Sequence, residues 1–207
     1  VEYLKKACDL ARDNSLYQLR YGTALEEVRD TERAVSAFQT AIKLDPKNAE
    51  AYVGIGRIKL KRGSVRDATE YLEKGLSIDD SLGHAYLALA QAYEQLSNMP
   101  AALKNYRKAA EKDSNNAEAH YRLGLAELQV NGKAASLDGF SKSTILADKM
   151  EPKPGWFFEA LYRRGVAERA RGLGSQAIAS FKRFIEEAPE NHIDRSEVLG
   201  NLRDMGQ

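Results

Sequence analysis

Residues 36–56 read SAFQTAIKLDPKNAEAYVGIG, and residues 104–124 read KNYRKAAEKDSNNAEAHYRLG. Each stretch carries an aromatic (Phe38, Tyr106), an alanine three residues on (Ala41, Ala109), an acidic turn, the tetrapeptide N-A-E-A and a closing glycine. The two stretches are 68 residues apart, and marks at half that interval fill the space between them. Small residues stand at Gly22, Gly56, Ala90 and Gly124. Ala34, Ala68, Ala102 and Ser136 follow at constant spacing, then Phe38, Leu72, Tyr106 and Phe140, then Ala41, Gly75, Ala109 and Ser143. A fifth set, Gly165, Ala177, Phe181 and Phe184, is displaced by seven residues.

Apolar residues within each copy recur at helical spacing, as in Tyr86, Leu89, Ala90 and Tyr93. Small residues let two helix backbones approach, and a bulky side chain beside each crossing fills the remaining space. Ser64 with Asp67, and Asp194 with Glu197, have the spacing of capping boxes, and Pro100 suits a first helical turn.

This pattern resembles the tetratricopeptide repeat family, whose unit is a helix–turn–helix of 34 residues. The resemblance covers nearly the whole chain and implies an all-α, right-handed solenoid of antiparallel helix pairs. About five repeats are expected, at 15–48, 49–82, 83–116, 117–150 and 158–190, as a single array over 1–207. Residues 1–14, opening VEYLKKACDLAR, read as the second helix of a preceding repeat, with Leu4 and Ala7 on its large and small marks. Residues 191–207 read as a capping helix. The insert at 151–157, EPKPGWF, is non-helical by its two prolines and delivers Trp156, Phe157 and Phe158 to the fifth copy. Trp156 and Phe158 are read as sealing the gap between copies four and five. Departures are local: Arg164 takes an apolar position before Gly165, and Phe184 takes a small one.

Composition narrows the function. Among 207 residues, 31 Lys and Arg face 30 Asp and Glu, so the net charge of +1 exerts no long-range pull on nucleic acid or anionic membrane. No apolar run is long enough to span a bilayer. The single cysteine, Cys8, rules out an internal disulfide framework and reads as a small packing residue. A cytoplasmic location is expected, with a periplasmic or membrane-tethered one left open because the chain starts at Val1 without an initiating Met.

No catalytic, cofactor or metal site is expected. GIGRIK at 54–59 starts like a dinucleotide fingerprint, but Lys59 stands where the third glycine belongs and no strand precedes it. Gly132-Lys133 lacks the rest of a phosphate loop. His84, His120 and His192 are far apart in the sequence.

What remains is surface. The family resemblance implies that first helices line a concave groove. Their fifth, ninth and twelfth positions share one face, and in copies four and five they supply Tyr121, Leu125, Leu128, Tyr162, Val166 and Arg169, with Arg122 and Arg163 beside them. These eight residues are the expected protein-binding groove, suited to an acidic or amphipathic peptide or helix. The lysine and asparagine clamp of chaperone-binding relatives is missing, since its positions hold Leu19, Thr23, Gly54, His84 and Ala88. The function implied is a protein–protein interaction scaffold or adaptor, part of a larger protein. Alternatives are the regulatory arm of an enzyme whose catalytic domain lies elsewhere, or a structural module that self-associates through the N-terminal half-repeat.

Overall fold

The computed structural model describes residues 1–207, which form twelve α-helices and no strands. The chain divides into two compact units, Val1–Lys112 and Asp113–Gln207. The first holds α1 (Glu2–Leu10), α2 (Ser15–Glu27), α3 (Thr31–Leu44), α4 (Ala49–Lys61), α5 (Val65–Ile78), α6 (Gly83–Gln95) and α7 (Met99–Lys112). The second holds α8 (Ala117–Asn131), α9 (Leu137–Ala147), α10 (Phe157–Ala170), α11 (Gly174–Glu187) and α12 (Arg195–Asp204). Helices α2/α3, α4/α5, α6/α7, α8/α9 and α10/α11 form the principal pairs.

The N-A-E-A tetrapeptide is a helix start. Asn48 accepts from the Ala51 amide (3.1 Å), and Asn116 accepts from the Ala119 amide (2.9 Å). Each thereby satisfies a first-turn N–H that the helix itself leaves without a partner. Asn14 caps α2 in the same way, through the Tyr17 amide. Leu82 holds the corresponding place before α6 and offers no cap. The preceding acidic residue shapes the turn: Asp45 and Asp79 accept the amides two residues on, from Lys47 and Ser81, each at 2.9 Å.

The turn inside four of the five pairs, all but α8/α9, is built differently. The amides of Asp30, Ser64, Asn98 and Leu173 reach back to the carbonyls of Leu25, Lys59, Tyr93 and Glu168, all at 2.9 Å. This Schellman closure places the preceding residue in the left-handed region. Gly63 (φ 80°) and Gly172 (φ 77°) suit that place, but Arg29 (φ 62°) and Ser97 (φ 58°) occupy it as well.

The small and large marks meet at the crossings. A methyl added at Gly22, Gly124 or Gly165 would lie 2.7, 2.8 or 2.5 Å from the ring of Phe38, Phe140 or Phe181. At Gly56 it would lie 2.7 Å from Leu72. The four large side chains are at most 1% exposed, so the rings and the glycines are a matched set.

Two capping expectations fail. Ser64 precedes α5 and Asp194 precedes α12, but neither side chain caps its helix. Asp67 instead accepts Lys59 Nζ at 2.7 Å, and Asp194 already has helical dihedrals, a geometry that turns its carboxylate away from the first-turn amides. Asn98 caps α7 through the Ala101 amide, with Pro100 in the first turn.

Arg164, the apolar position turned basic, belongs to a polar cluster inside the second unit. Its Nε donates to Glu168 Oε1 (2.8 Å) and its Nη1 lies 3.3 Å from Thr144 Oγ1. The Ser180 hydroxyl donates to the second Glu168 oxygen at 2.7 Å. Glu168 is 1% exposed, so its charge is held entirely by these donors.

Candidate protein-binding cleft

In the second unit a cavity of about 320 Å³ opens between α8, α10 and α12. Leu128, Tyr162 and Val166 supply its apolar surface, with Arg163 beside them. All four belong to the groove expected from the sequence. Lys133 and Ser136 also line it, together with Asp194, Glu197 and Asn201. The last three come from α12 and the residue before it, a segment the repeat register treats only as a cap.

The other expected residues lie nearby in different roles. Tyr121 is 5% exposed: its ring stacks on Trp156 (centroids 4.6 Å apart, planes 8° apart) and its hydroxyl donates to Glu159 at 2.8 Å. Burial and that carboxylate push the Tyr121 phenol up from its ordinary value. Tyr162 is 8% exposed, tilted against Phe181 and edge-on to Phe184, and burial together with the nearby Glu197 carboxylate pushes its phenol up from its ordinary value. Tyr162 is therefore a wall of the cleft and Tyr121 a packing residue behind it, and neither is a free anchor. Leu125 and Leu128 both pack against the Tyr121–Phe140 cluster.

The three arginines are paired. Arg122 lies 3.5 Å from Glu118, Arg163 donates to Glu159 at 2.7 Å, and Arg169 reaches Asn201 (2.8 Å) and Asp204 (3.6 Å). Burial pushes the Glu159 carboxyl up, but the Arg163 and Tyr121 hydrogen bonds prevail and hold it below its ordinary value. With Asp194 and Glu197 added, the rim carries both signs. An excess of positive charge, the ground for expecting an acidic ligand, is not there. The sequence signal for these acids was present in IDRSEVLG but carried no mark of which face they would take.

The insert aromatics pack within this unit. Trp156 covers Tyr121, and Phe158 stands edge-on to Phe157, Phe184 and His192.

The first unit has a concave cavity of its own, about 350 Å³, lined by Leu19, Arg20, Thr23, Phe38, Glu50, Gly54, Arg57 and His84. Its charges largely satisfy one another. His84 Nε2 lies 3.0 Å from Glu50, and Glu26 accepts from Arg57 (2.5 Å) and Lys61 (2.9 Å). Burial pushes the Glu26 carboxyl up, and those two donors outweigh it and hold it below its ordinary value. The histidines are dispersed: His84 is bound to Glu50, His120 to the Ser114 carbonyl, and His192 lies among the insert aromatics. No three His, Cys, Asp or Glu side chains are grouped so as to hold a metal ion. No helix is long and apolar enough to cross a membrane.

Known proteins share this architecture. Tetratricopeptide repeat models match residues 25–92 and 159–191, and a TPR repeat model matches 95–130. The BBSome complex member bbs-4 of Caenorhabditis elegans is 27% identical over 183 residues, covering 88% of this chain and 38% of its own length. The DnaJ homolog subfamily C member 7 of Homo sapiens is 29% identical, covering 58% of this chain and 24% of its own. The chain spans well under half the length of these curated relatives. Among solved structures, YrrB, described as a TPR protein with an unusual peptide-binding site, superposes with a TM-score of 0.70 at 20% identity, over 99% of this chain and 98% of its own. A MamA structure gives 0.64 at 25% identity, over 80% and 92%. The matched repeats, the paired helices and the glycine–aromatic crossings agree: the chain belongs to the tetratricopeptide repeat family.

Proposed function

We propose that this chain is a non-catalytic protein-interaction scaffold that holds an amphipathic segment of a partner protein in the cleft of the second unit. The observation that carries this reading is the composition of that cleft. Leu128 and Val166 line it with apolar surface, and Lys133, Arg163, Asp194 and Glu197 line it with charges of both signs. Such a surface binds through the burial of apolar side chains and takes its register from charges of both signs on the rim. The partner segment therefore carries apolar residues on one face and both acidic and basic residues beside them, rather than an acidic run. The repeats proposed to build the scaffold are those at 15–48, 49–82, 83–116, 117–150 and 158–190. Membership of a named complex by a relative, the BBSome member, is consistent with such a role.

Selection of binders from a random peptide display library tests this. Selected peptides are expected to bind the intact chain and to lose at least tenfold in affinity on Val166→Glu, with circular dichroism unchanged. Val166 is half-buried at the cleft floor, and a carboxylate there opposes apolar contact. Equal affinity for Val166→Glu would place binding outside this cleft.

Self-association is a second reading, favoured by the exposure of Tyr3 on α1, 88% open to solvent.

A further inference from the structure

Gly132-Lys133, a pair that matched no phosphate loop, sits in a turn unlike its counterparts. Arg29, Gly63 and Ser97 follow one another at 34-residue spacing, each in the left-handed region. Asn131 is next in that register, yet α8 keeps it as its last residue, and the chain turns one place later at Gly132 (φ 88°, ψ 178°). That combination of angles belongs almost wholly to glycine. The turn therefore dictates the dipeptide Asn131-Gly132, and no other asparagine of the chain is followed by glycine.

Such a pair has a chemistry of its own. The backbone nitrogen after an asparagine can attack the carbonyl carbon of the asparagine side chain. A side chain on the following residue hinders the approach, and glycine has none. Here the approach is open: Asn131 is exposed, and a methyl at Gly132 would meet nothing within 4 Å. Asn131 Nδ2 donates to Glu127, while its carbonyl oxygen accepts no hydrogen bond. The carbonyls of Asn14, Asn48, Asn98 and Asn116 are by contrast engaged as helix caps. The Gly132 amide holds only the last bond of α8, to the Leu128 carbonyl at 3.2 Å, and terminal bonds of this kind open readily.

We propose that Asn131 is a site of spontaneous deamidation, which turns the end of α8 acidic and alters the cleft wall beside it. The Gly132 nitrogen gives its proton to hydroxide and bonds to Asn131 Cγ. The Cγ–Nδ2 bond breaks, and Nδ2 takes a proton from water and leaves as ammonia. Water then opens the succinimide at one of its two carbonyls. One opening gives aspartate, and the other gives isoaspartate, with the main chain rerouted through Cγ. No oxidant or enzyme enters the balance. Either product acts locally. A carboxylate at 131 faces Glu127 one turn back, where the amide had donated, and lies at the negative end of the helix dipole. Isoaspartate also lengthens the main chain by one carbon just ahead of Lys133 and Ser136, which line the cleft, while Ala134 is held by Arg171 at 2.6 Å. The effect on the cleft rests on the binding role proposed for it; the conversion does not.

Peptide mapping by mass spectrometry, after incubation of the intact chain in warm, mildly alkaline buffer, tests the conversion. Methyl transfer by an isoaspartate-specific methyltransferase is the independent probe for isoaspartate. Conversion at Asn131 is expected to run at least tenfold faster than at any other asparagine, because only there is the attacking nitrogen that of a glycine. It is expected to speed up with pH, as the Gly132 amide must lose its proton, and to slow at least tenfold in Asn131→Gln, whose ring would need a sixth member. Asn131 reacting no faster than the other asparagines overturns the proposal. For the consequence, Asn131→Asp is expected to melt below Asn131→Gln and to bind the display-selected peptides at least threefold more weakly. Equal melting and equal affinity of these two variants overturn the effect on the cleft. Conversion at Asn131 in a chain that binds no selected peptide refutes the cleft reading and upholds the modification.

Discussion

Gly165 and Gly200 both lie inside helices, one against a buried ring and one in open space, so the same substitution at each isolates what the crossing contributes. At Gly165 the new Ala methyl would lie 2.5, 2.8 and 3.0 Å from three carbons of the Phe181 ring. Carbon atoms prefer roughly 3.5–4.0 Å. Phe181 is 0% exposed, so the ring has no solvent to retreat into. Overpacking of this kind costs about 1–3 kcal/mol. Replacing a helical glycine with alanine returns about 0.5–1 kcal/mol through lower backbone entropy in the unfolded chain. Gly165→Ala is therefore expected to destabilise by about 0.5–2 kcal/mol net. Gly200→Ala meets no atom within 4 Å and keeps only the entropic gain, so it is expected to stabilise by about 0.5–1 kcal/mol. The assay is equilibrium urea unfolding at low protein concentration, followed by circular dichroism. With a slope near 1–3 kcal/mol per molar urea, the two midpoints should move in opposite directions by a few tenths of a molar or more. A second-site test localises the cause: in a Phe181→Leu background the Gly165→Ala penalty should shrink, a coupling that additive sites do not show. Equal shifts of the same sign, or no coupling to Phe181, would refute the claim that these glycines exist to admit the ring.

Three further outcomes are expected. Arg29→Gly should stabilise the first unit by up to about 1 kcal/mol and Gly63→Ala should destabilise it by a similar amount, both read from urea midpoints, because both positions have left-handed dihedrals. Glu168→Ala should cost about 3–5 kcal/mol, measured in the same way, because it leaves the Arg164 guanidinium with only Thr144 and takes away the acceptor of the buried Ser180 hydroxyl. The Glu26 carboxyl is held below its unfolded value by Arg57 and Lys61. Its contribution is therefore complete above the unfolded pKa, near 4.3, and falls away as pH drops through the lower folded value. Stability profiles of wild type and Glu26→Gln between neutral and acid pH should converge below that window, and parallel profiles would remove Glu26 from the account.

Much of the fold was legible because its determinants repeat at one interval. Asn48 and Asn116 precede helices with the same spacing to their aromatics, and the glycines that meet Phe38, Phe140 and Phe181 stand in register with them. Features that depend on two chain segments meeting were not legible. The sequence marks Arg164 as a departure, but only the packing of α9, α10 and α11 shows that Thr144 and Glu168 receive it and that Ser180 holds the second Glu168 oxygen. Four of the eight expected groove residues line one cavity. Tyr121 and Tyr162 were expected as open groove residues, yet the Trp156 stack and the packing against Phe181 and Phe184 remove most of their accessible area. Ser64 and Asp194 show the limit of short spacing rules: at Asp194 the backbone is already helical, and at Ser64, whose dihedrals match those of the capping Asp30, the acidic partner Asp67 is taken by Lys59.

Trp156 is the only tryptophan in the chain, and it stands face to face with Tyr121 inside the second unit. Its emission is therefore a built-in reporter for one half of the molecule. Circular dichroism sums all twelve helices, whereas the indole sees only its own unit lose its packing. Superimposable curves from the two probes mean that the units melt as one cooperative block, and separated curves mean that each melts on its own. The stack thus supplies, without any label, the measurement that decides whether a lesion near Phe38 is felt at Phe181.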